Sequence, residues 1–189
     1  ANTTASNNTA VGQLALTENT TGASNTAVGQ EAGRSIVGHS NNTYIGAAAG
    51  RYNVAEQCVA IGSECCEGVD GTTDADNTTA VGYQALHSLE TGVNNTAFGF
   101  RALYVCTTGH RNAAFGTGTL DSLTTGERNM AFGEYALHGV TTGYYNVGVG
   151  QEAGSTITTA NGNVCLGRLA GQNQITTSSN NLYIAYDNG

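Results

Sequence analysis

The chain has 189 residues and a formal net charge of −8, with fourteen acidic side chains against six Arg and no Lys. Such a chain is a poor electrostatic partner for phosphate backbones or anionic membranes, which argues against nucleic acid as a ligand and against membrane insertion. No apolar run approaches the roughly 20 residues of a transmembrane helix, and no signal peptide is recognisable. The first residue is Ala1 rather than Met, which suggests a processed form or a fragment.

A repeat of 17 residues runs through the chain, and it is anchored on the glycine that closes each short apolar run. Seven of the ten intervals between successive anchors are 17 residues, and the others are 16, 20 and 18 residues. The anchors are Gly12, Gly29, Gly46, Gly62, Gly82, Gly99, Gly116, Gly133, Gly150 and Gly167, with Ala185 in the last unit. The chain is therefore predicted to be a single repeat array over residues 1–189, with an inserted loop at 68–76 and a terminal unit or cap at 179–189.

The length of the repeat restricts the fold. Seventeen residues are too few for a pair of helices, but they fit one coil of a β-solenoid with two short strands and two turns. Stacked coils lie about 4.8 Å apart, so ten of them make a rod roughly 50 Å long. The sequence predicts an all-β solenoid, or β-roll, of about ten 17-residue coils.

Two columns of the repeat bear on how the coil packs. The residue before each anchor is large and apolar, as in Val28 and Phe98, and the residue before that is usually Ala. Because side chains alternate along a strand, the two columns face opposite sides. We expect the large column to point into the coil and the Ala column to point outward. A thin coil buries little surface alone, so we expect an oligomer with the Ala face at its interface. The alternative is a monomeric solenoid in which the Ala face has no binding partner.

A third column carries Asn four residues before the anchor in nine of the eleven units, with Cys58 and Thr78 as the exceptions. Asn side chains in register along a solenoid form a ladder of amide hydrogen bonds. The pattern favours this structural role over ligand binding.

Three of the five cysteines lie in one unit of the array, and the other two lie in separate units. The five are Cys58, Cys65, Cys66, Cys106 and Cys165. Simple packing as small apolar residues is the default interpretation, and a local disulfide between Cys58 and either Cys65 or Cys66 is the alternative. The odd number leaves at least one free thiol or an interchain bond. A zinc site needs converging ligands whose spacing is absent, so no metal site is predicted.

The insertion at 68–76 is the main break in the period. Its carboxylates, Asp70, Asp74 and Asp76, offer the oxygen ligands that Ca²⁺ prefers. Their spacing matches no complete calcium motif, so a solvated loop is the favoured interpretation. The chain also has Asn-X-Thr sequons, which matter only in a secretory pathway and mostly coincide with the repeat itself. These sequons begin at Asn2, Asn7, Asn19, Asn41, Asn77 and Asn94.

Units such as NNTAVGQLALTENTTGASNTAVGQEAG at 7–33 and NTTAVGYQALHSLETGVNNTAFGFRAL at 77–103 carry a family resemblance. They resemble the head repeats of YadA-like trimeric autotransporter adhesins. They are even more similar to repeat arrays in phage and algal-virus tail-fibre proteins, which often precede an endosialidase-type intramolecular chaperone. The resemblance implies a homotrimer of left-handed parallel β-rolls, and the absence of a chaperone sequence fits a cleaved product or a truncated chain.

No catalytic or cofactor-binding pattern accompanies the repeat. The four His fall in different units, and no GxSxG, HExxH, P-loop or CxxC motif is present. We therefore expect no enzyme activity and no cofactor. The leading hypothesis is an extracellular, trimeric fibre segment on a virion or cell surface that presents turn residues to a host glycan or receptor. The candidate contacts are Tyr104, His110, Arg111, Tyr144 and Tyr145.

Two other functions compete with this hypothesis. One is an ice-binding solenoid, since Thr pairs recur at 20–21, 107–108, 124–125, 141–142 and 158–159. Several coils interrupt that ladder, and adjacent Thr residues face opposite sides. The other is a self-assembling extracellular filament without a receptor, in which rods stack end to end because the ends of a solenoid are open sheet edges.

Overall fold

The computed structural model describes residues 4–69, 73, 75–172 and 177–185. Each unit of the repeat contributes one strand of three residues, and the strands form a single parallel sheet. They are β1 Thr9–Val11, β2 Thr26–Val28, β3 Thr43–Ile45, β4 Val59–Ile61, β5 Thr79–Val81, β6 Thr96–Phe98, β7 Ala113–Phe115, β8 Met130–Phe132, β9 Val147–Val149, β10 Val164–Leu166 and β11 Leu182–Ile184. Among the described residues, no helix is long and apolar enough to cross a membrane.

The order of strands in the sheet is the order of the sequence, from β1 to β11. Neighbouring strands pair in register, so that Ala97 lies opposite Ala114 and Phe98 lies opposite Phe115. This arrangement confirms the all-β solenoid of about ten coils.

The other half of each coil is built of turns, so the prediction of two strands per coil is wrong. Three positions in the unit have left-handed backbone: five residues before the anchor, two after it and four after it. In the unit of Gly82 these are Asn77, Gln84 and Leu86, with φ of 55°, 54° and 51°. Left-handed residues cannot continue a strand, because extended backbone requires negative φ. They turn the chain back toward the sheet instead.

The anchor glycines hold a backbone that other residues rarely adopt. Gly99 has φ of +137°, and a Cβ at this position would lie 2.4 Å from the carbonyl oxygen of Gly116 in the next coil. The backbones of successive coils therefore approach more closely than any side chain permits. This contact explains why Gly recurs at the end of every strand but the last.

The two strand columns face the opposite way from the expectation. Ala27, Ala97 and Ala131 of the Ala column are fully buried, whereas Val11 and Phe98 of the large column are 57% and 44% exposed. The prediction that the large column fills the coil and that the Ala column lies at an interface is therefore wrong.

Most of the large core side chains come from the turns. They stand four and seven residues after the anchors, and they are fully buried. They include Leu86, Leu89, Leu103, Leu120, Leu123, Leu137, Val140 and Ile157. Because these Leu, Ile and Val side chains already fill a thin coil, the facing strand residue is small in most coils, and Tyr44 of β3 is a large, fully buried exception.

The Asn column forms the expected ladder inside the coil. Asn112 Nδ2 donates to Asn95 Oδ1 at 3.3 Å and to the Gly126 carbonyl at 2.9 Å. Its own Oδ1 accepts from the backbone N–H of Asn129 at 2.9 Å and from Asn129 Nδ2 at 3.2 Å. Each amide thus joins consecutive coils, which confirms the structural role predicted for these residues.

Candidate interaction surface

The outer sheet face is the most distinctive surface of the molecule. We define it as the first and third residue of every strand, because only the middle residue points into the core. Its third-residue column is Val11, Val28, Ile45, Ile61, Val81, Phe98, Phe115, Phe132, Val149, Leu166 and Ile184. Its first-residue column is Thr9, Thr26, Thr43, Val59, Thr79, Thr96, Ala113, Met130, Val147, Val164 and Leu182. Neither column contains a charged side chain.

Aromatic rings stack along this face at the spacing of the coils. The ring centroids of Phe98 and Phe115 are 5.9 Å apart, and those of Phe115 and Phe132 are 4.7 Å apart with nearly parallel planes. Beside this stack, the rings of Tyr83 and Phe100 lie 5.8 Å apart. Both of these flanking rings are nearly half exposed. The stacking therefore orders the rings without removing them from solvent.

The outer sheet face is comparable in size to the largest apolar patches of monomeric proteins. Eleven strands of three residues span about 500 Å² at the ordinary strand spacing and rise. The largest apolar patch on a typical monomer is about 300–600 Å², and such patches are often functional. Parallel sheets are also normally covered on both faces. An apolar face of this extent is a candidate site of association.

A second candidate surface lies on the turns near the C-terminal end of the array. Tyr144 and Tyr145 are about half exposed, and their rings meet edge to face with centroids 5.6 Å apart. The guanidinium of Arg128 lies 5.3 Å from the ring centroid of Tyr145, and Arg128 pairs with Glu127 at 3.0 Å. With Thr125 and Thr142, these residues line a shallow cavity of about 280 Å³. The structure thus brings two of the five predicted contact residues together.

The other three predicted contact residues lie in different environments. Arg101 lies over the ring of Tyr104 at 4.0 Å, and His87 packs against the same ring, so Tyr104 is a packing residue. His110 Nδ1 accepts a hydrogen bond from the backbone N–H of Val93 at 3.0 Å, which joins two coils. Arg111 is exposed at a left-handed turn position and does not line the cavity of Tyr144 and Tyr145.

The five thiols are free and buried, as packing predicts. Cys58 Sγ and Cys66 Sγ are 4.0 Å apart, and Asn53 Nδ2 donates to both sulfurs at 3.2 Å. Burial raises the pKa of Cys65 and of Cys106 to about 12. Nucleophilic chemistry requires a thiolate, so these two side chains are inert near neutral pH.

The proposed calcium ligands are not assembled in the described part of the insertion. Asp70 and Asp74 lie outside the described residues, as do residues 186–189 of the predicted cap. Asp76 Oδ1 accepts a hydrogen bond from the backbone N–H of Glu56 at 2.7 Å, so this carboxylate links two coils.

The structure also locates the sequons. Asn19 is buried and bonds to the backbone of Gly22 through both ends of its amide, so it is not available for glycosylation. Asn2 lies outside the described residues. The others stand at the left-handed turn position before each strand, where Asn is favoured for its backbone conformation. They are Asn7, Asn41, Asn77 and Asn94.

The sequence did not predict one cluster of potential metal ligands. Among the described residues, Glu64, Glu67 and His87 each place one ligand atom within 4.8 Å of the other two, so they could hold a metal ion together. Sequence spacing gave no signal for this cluster, because its members come from two coils separated by the insertion.

Comparisons of the chain with protein-family models, curated proteins and solved structures found no match. We therefore infer function from the fold and from the surfaces described above. The outer sheet face and the turn at Tyr144 and Tyr145 both offer exposed apolar or aromatic contact.

Proposed function

We propose that the chain is a non-enzymatic structural segment of an extracellular fibre that assembles with copies of itself through the outer sheet face. The resemblance to tail-fibre and adhesin repeats implies three chains in the assembly, on a virion or cell surface. The observation that carries this proposal is the uncharged and mostly apolar face formed by eleven parallel strands.

A second copy of the chain suits this face better than an unrelated partner. The rest of the chain gives a net charge of −8, yet the outer sheet face has no charge with which to attract a partner of opposite sign. Two copies share the same repeat along the rod, so their Val, Ile and Phe columns can interdigitate along the whole length. Three such faces turned toward a common axis contribute up to about 1,500 Å² in total, which is within the range of specific interfaces.

The proposal is tested by the mass in solution, measured by light scattering at neutral pH with reductant. We expect a mass near three chains for the wild type. Val28→Glu and Val149→Glu, singly and combined, place a carboxylate on the outer sheet face and should shift the mass toward one chain. Val37→Glu is the matched control, because Val37 is 50% exposed on a turn away from the sheet.

The light-scattering result also separates the alternatives. A wild-type chain that is monomeric at every concentration contradicts the proposal. A mass that rises continuously with concentration and is unaffected by Val149→Glu favours end-to-end stacking of rods into a filament. Circular dichroism of each variant shows whether a lost assembly reflects a lost fold.

Attachment to a surface glycan is the second part of the proposed function, and the turn at Tyr144 and Tyr145 supports it. Exposed aromatic rings offer apolar faces to sugars, while Arg128, Glu127 and the Thr hydroxyls offer hydrogen bonds. We expect binding on a glycan array that is lost in Tyr145→Ala. Tyr135→Ala is the control, since Tyr135 is 39% exposed on a turn outside this cavity.

An ice-binding role is the competing function with a specific observation in its favour. The first residue of β1, β2 and β3 is an outward Thr beside an outward Val or Ile, which gives a short regular array. The Thr pairs are less suitable, because Thr124 and Thr141 direct their hydroxyls to carbonyls of the next coil. Thermal hysteresis that is lost on replacing Thr26 by Tyr would favour ice binding over fibre assembly.

A further inference from the structure

Glu64, Glu67 and His87 form a compact group of ligating side chains outside both interaction surfaces. Glu67 Oε2 lies 3.4 Å from His87 Nε2, and the three ligand atoms all lie within 4.8 Å of one another. All three residues are half-buried. Tetrahedral zinc with bonds of about 2.1 Å holds its ligand atoms about 3.4 Å apart. The side chains therefore need only small rotations to close around one ion.

The neighbours of the cluster orient its ligands. Ser88 Oγ lies 3.3 Å from His87 Nδ1, so a proton on Nδ1 leaves the Nε2 lone pair directed at Glu67. Arg51 pairs with the other oxygen of Glu67, Oε1, at 3.2 Å. Gln84 Nε2 donates to Glu64 Oε2 at 2.7 Å. Metal ligands are commonly held by such outer partners, which fix the tautomer of the His and the direction of the carboxylates.

The charge around the cluster is compatible with a cation. The two carboxylates and the imidazole lie near the guanidinium of Arg51, whose Nε also pairs with Glu31 Oε2 at 3.0 Å. Arg51 lies between Glu31 and Glu67 and contacts only Oε1 of Glu67, so Oε2 of Glu67 and the carboxylate of Glu64 are left to face an ion.

The cluster spans two successive coils, so an ion bound there would link them. Glu64 and Glu67 belong to the coil after β4, and His87 belongs to the coil after β5. The Asn ladder is interrupted at this junction, because Cys58 and Thr78 replace Asn. A bound ion would join the two coils where the amide ladder does not.

We propose that Glu64, Glu67 and His87 are three ligands of a divalent transition metal of the Zn²⁺ type, with water in the fourth position. An imidazole with two carboxylates suits first-row transition metals, whereas Ca²⁺ and Mg²⁺ prefer oxygen ligands alone. The ion cross-links the two coils and stabilises the folded chain.

Calorimetric titration of the full chain with Zn²⁺ tests the site. We expect one ion per chain and a rise in the thermal midpoint when Zn²⁺ is present. Glu64→Gln and His87→Gln should each weaken binding by at least about tenfold and abolish the rise. Glu152→Gln is the matched control and should bind like wild type. Glu152 holds the same position in its repeat and also accepts a hydrogen bond from a Gln, but it has no His beside it.

Co²⁺ in place of Zn²⁺ distinguishes this site from the buried thiols. Oxygen and nitrogen ligands give weak visible bands, whereas a thiolate from Cys58 or Cys66 adds an intense near-ultraviolet charge-transfer band. The thiolate band would overturn the assignment. So would binding that Glu64→Gln and His87→Gln leave unchanged, or a wild-type chain that takes up no Zn²⁺ at all. Glu64→Gln is isosteric, so circular dichroism should show a folded chain in which only the ligand has changed.

Discussion

The ring of Tyr44 occupies the space in which a side chain at Gly50 would lie. A Cβ at Gly50 would meet Cδ1 and Cε1 of Tyr44 at 2.3 Å, and a Cβ at Gly33 in the preceding coil would meet Cδ2 at 2.7 Å. In the unit of Gly99, the same two positions are held by Ala97 and Leu103. One coil has a large strand residue, Tyr44, with a small turn residue, Gly50. The other has a small strand residue, Ala97, with a large turn residue, Leu103, so the two pairs fill a similar core volume.

This exchange predicts a coupled pair of substitutions. Tyr44→Ala should destabilise the chain by about 3–5 kcal/mol, because it leaves a cavity. Gly50→Leu should cost about 1–3 kcal/mol through overpacking against the ring. The double variant should cost less than the sum of these values by about 2 kcal/mol. Denaturant unfolding at fixed protein concentration measures all three.

The backbone at Gly50 allows this test. Its φ is +58°, close to the +51° at which Leu86 stands in the corresponding position of another coil. Leu is therefore excluded at Gly50 by the ring of Tyr44 rather than by the backbone. Strictly additive effects of the two substitutions would show that the two side chains do not compete for one space.

The Asn ladder predicts a cost that depends on position. Asn112→Ala removes the acceptor of both hydrogen bonds from Asn129 and leaves the Gly126 carbonyl without its amide donor. We expect a loss of about 3 kcal/mol, since buried polar groups left unpaired are costly. Asn181→Ala, in the last unit, should cost about 1 kcal/mol, because Asn181 is half exposed. Equal costs at the two positions would contradict the ladder as the source of stability.

The buried thiols predict a decline of stability at alkaline pH. Burial raises the pKa of Cys106 from 9.0 to about 12, so the folded chain retains a proton that the unfolded chain releases. The stability is complete below pH 9 and is lost as the pH rises from 9 toward 12, by about 1.4 kcal/mol from this thiol at pH 10. Cys106→Ala should reduce the fall between pH 8 and pH 10 by that amount. An identical pH profile in the variant would exclude the thiol as its cause.

The sequence predicted the period, the anchors and the Asn ladder, because each depends on one residue type that recurs at a fixed interval. It did not predict which side of the strand faces inward. Alternation over three residues separates the two faces without saying which is buried, and the usual preference for large apolar cores favours the wrong one. The column four residues after the anchor, which holds Leu or Gly, carried the missing information. Gly33 and Gly50 stand in this column on either side of Tyr44, which indicates that the middle residue of the strand and this turn residue share the core. The cluster at Glu64, Glu67 and His87 depends on contacts between coils, which no local motif records.

The anchor glycines give the most demanding prediction about the coil itself. Gly99→Ala combines a left-handed φ of +137° with a Cβ 2.4 Å from the Gly116 oxygen, so neither the backbone nor the next coil can accommodate it. We expect a loss of at least about 4 kcal/mol in the free energy of unfolding. Gly38→Ala is the control and should cost less than about 1 kcal/mol, because its nearest neighbour is the Thr21 hydroxyl at 3.0 Å. Ala185 occupies the anchor position after β11, where the described chain has no further coil for its Cβ to meet. If Gly99→Ala unfolds at the same denaturant concentration as Gly38→Ala, close contact between anchor backbones is not what selects glycine.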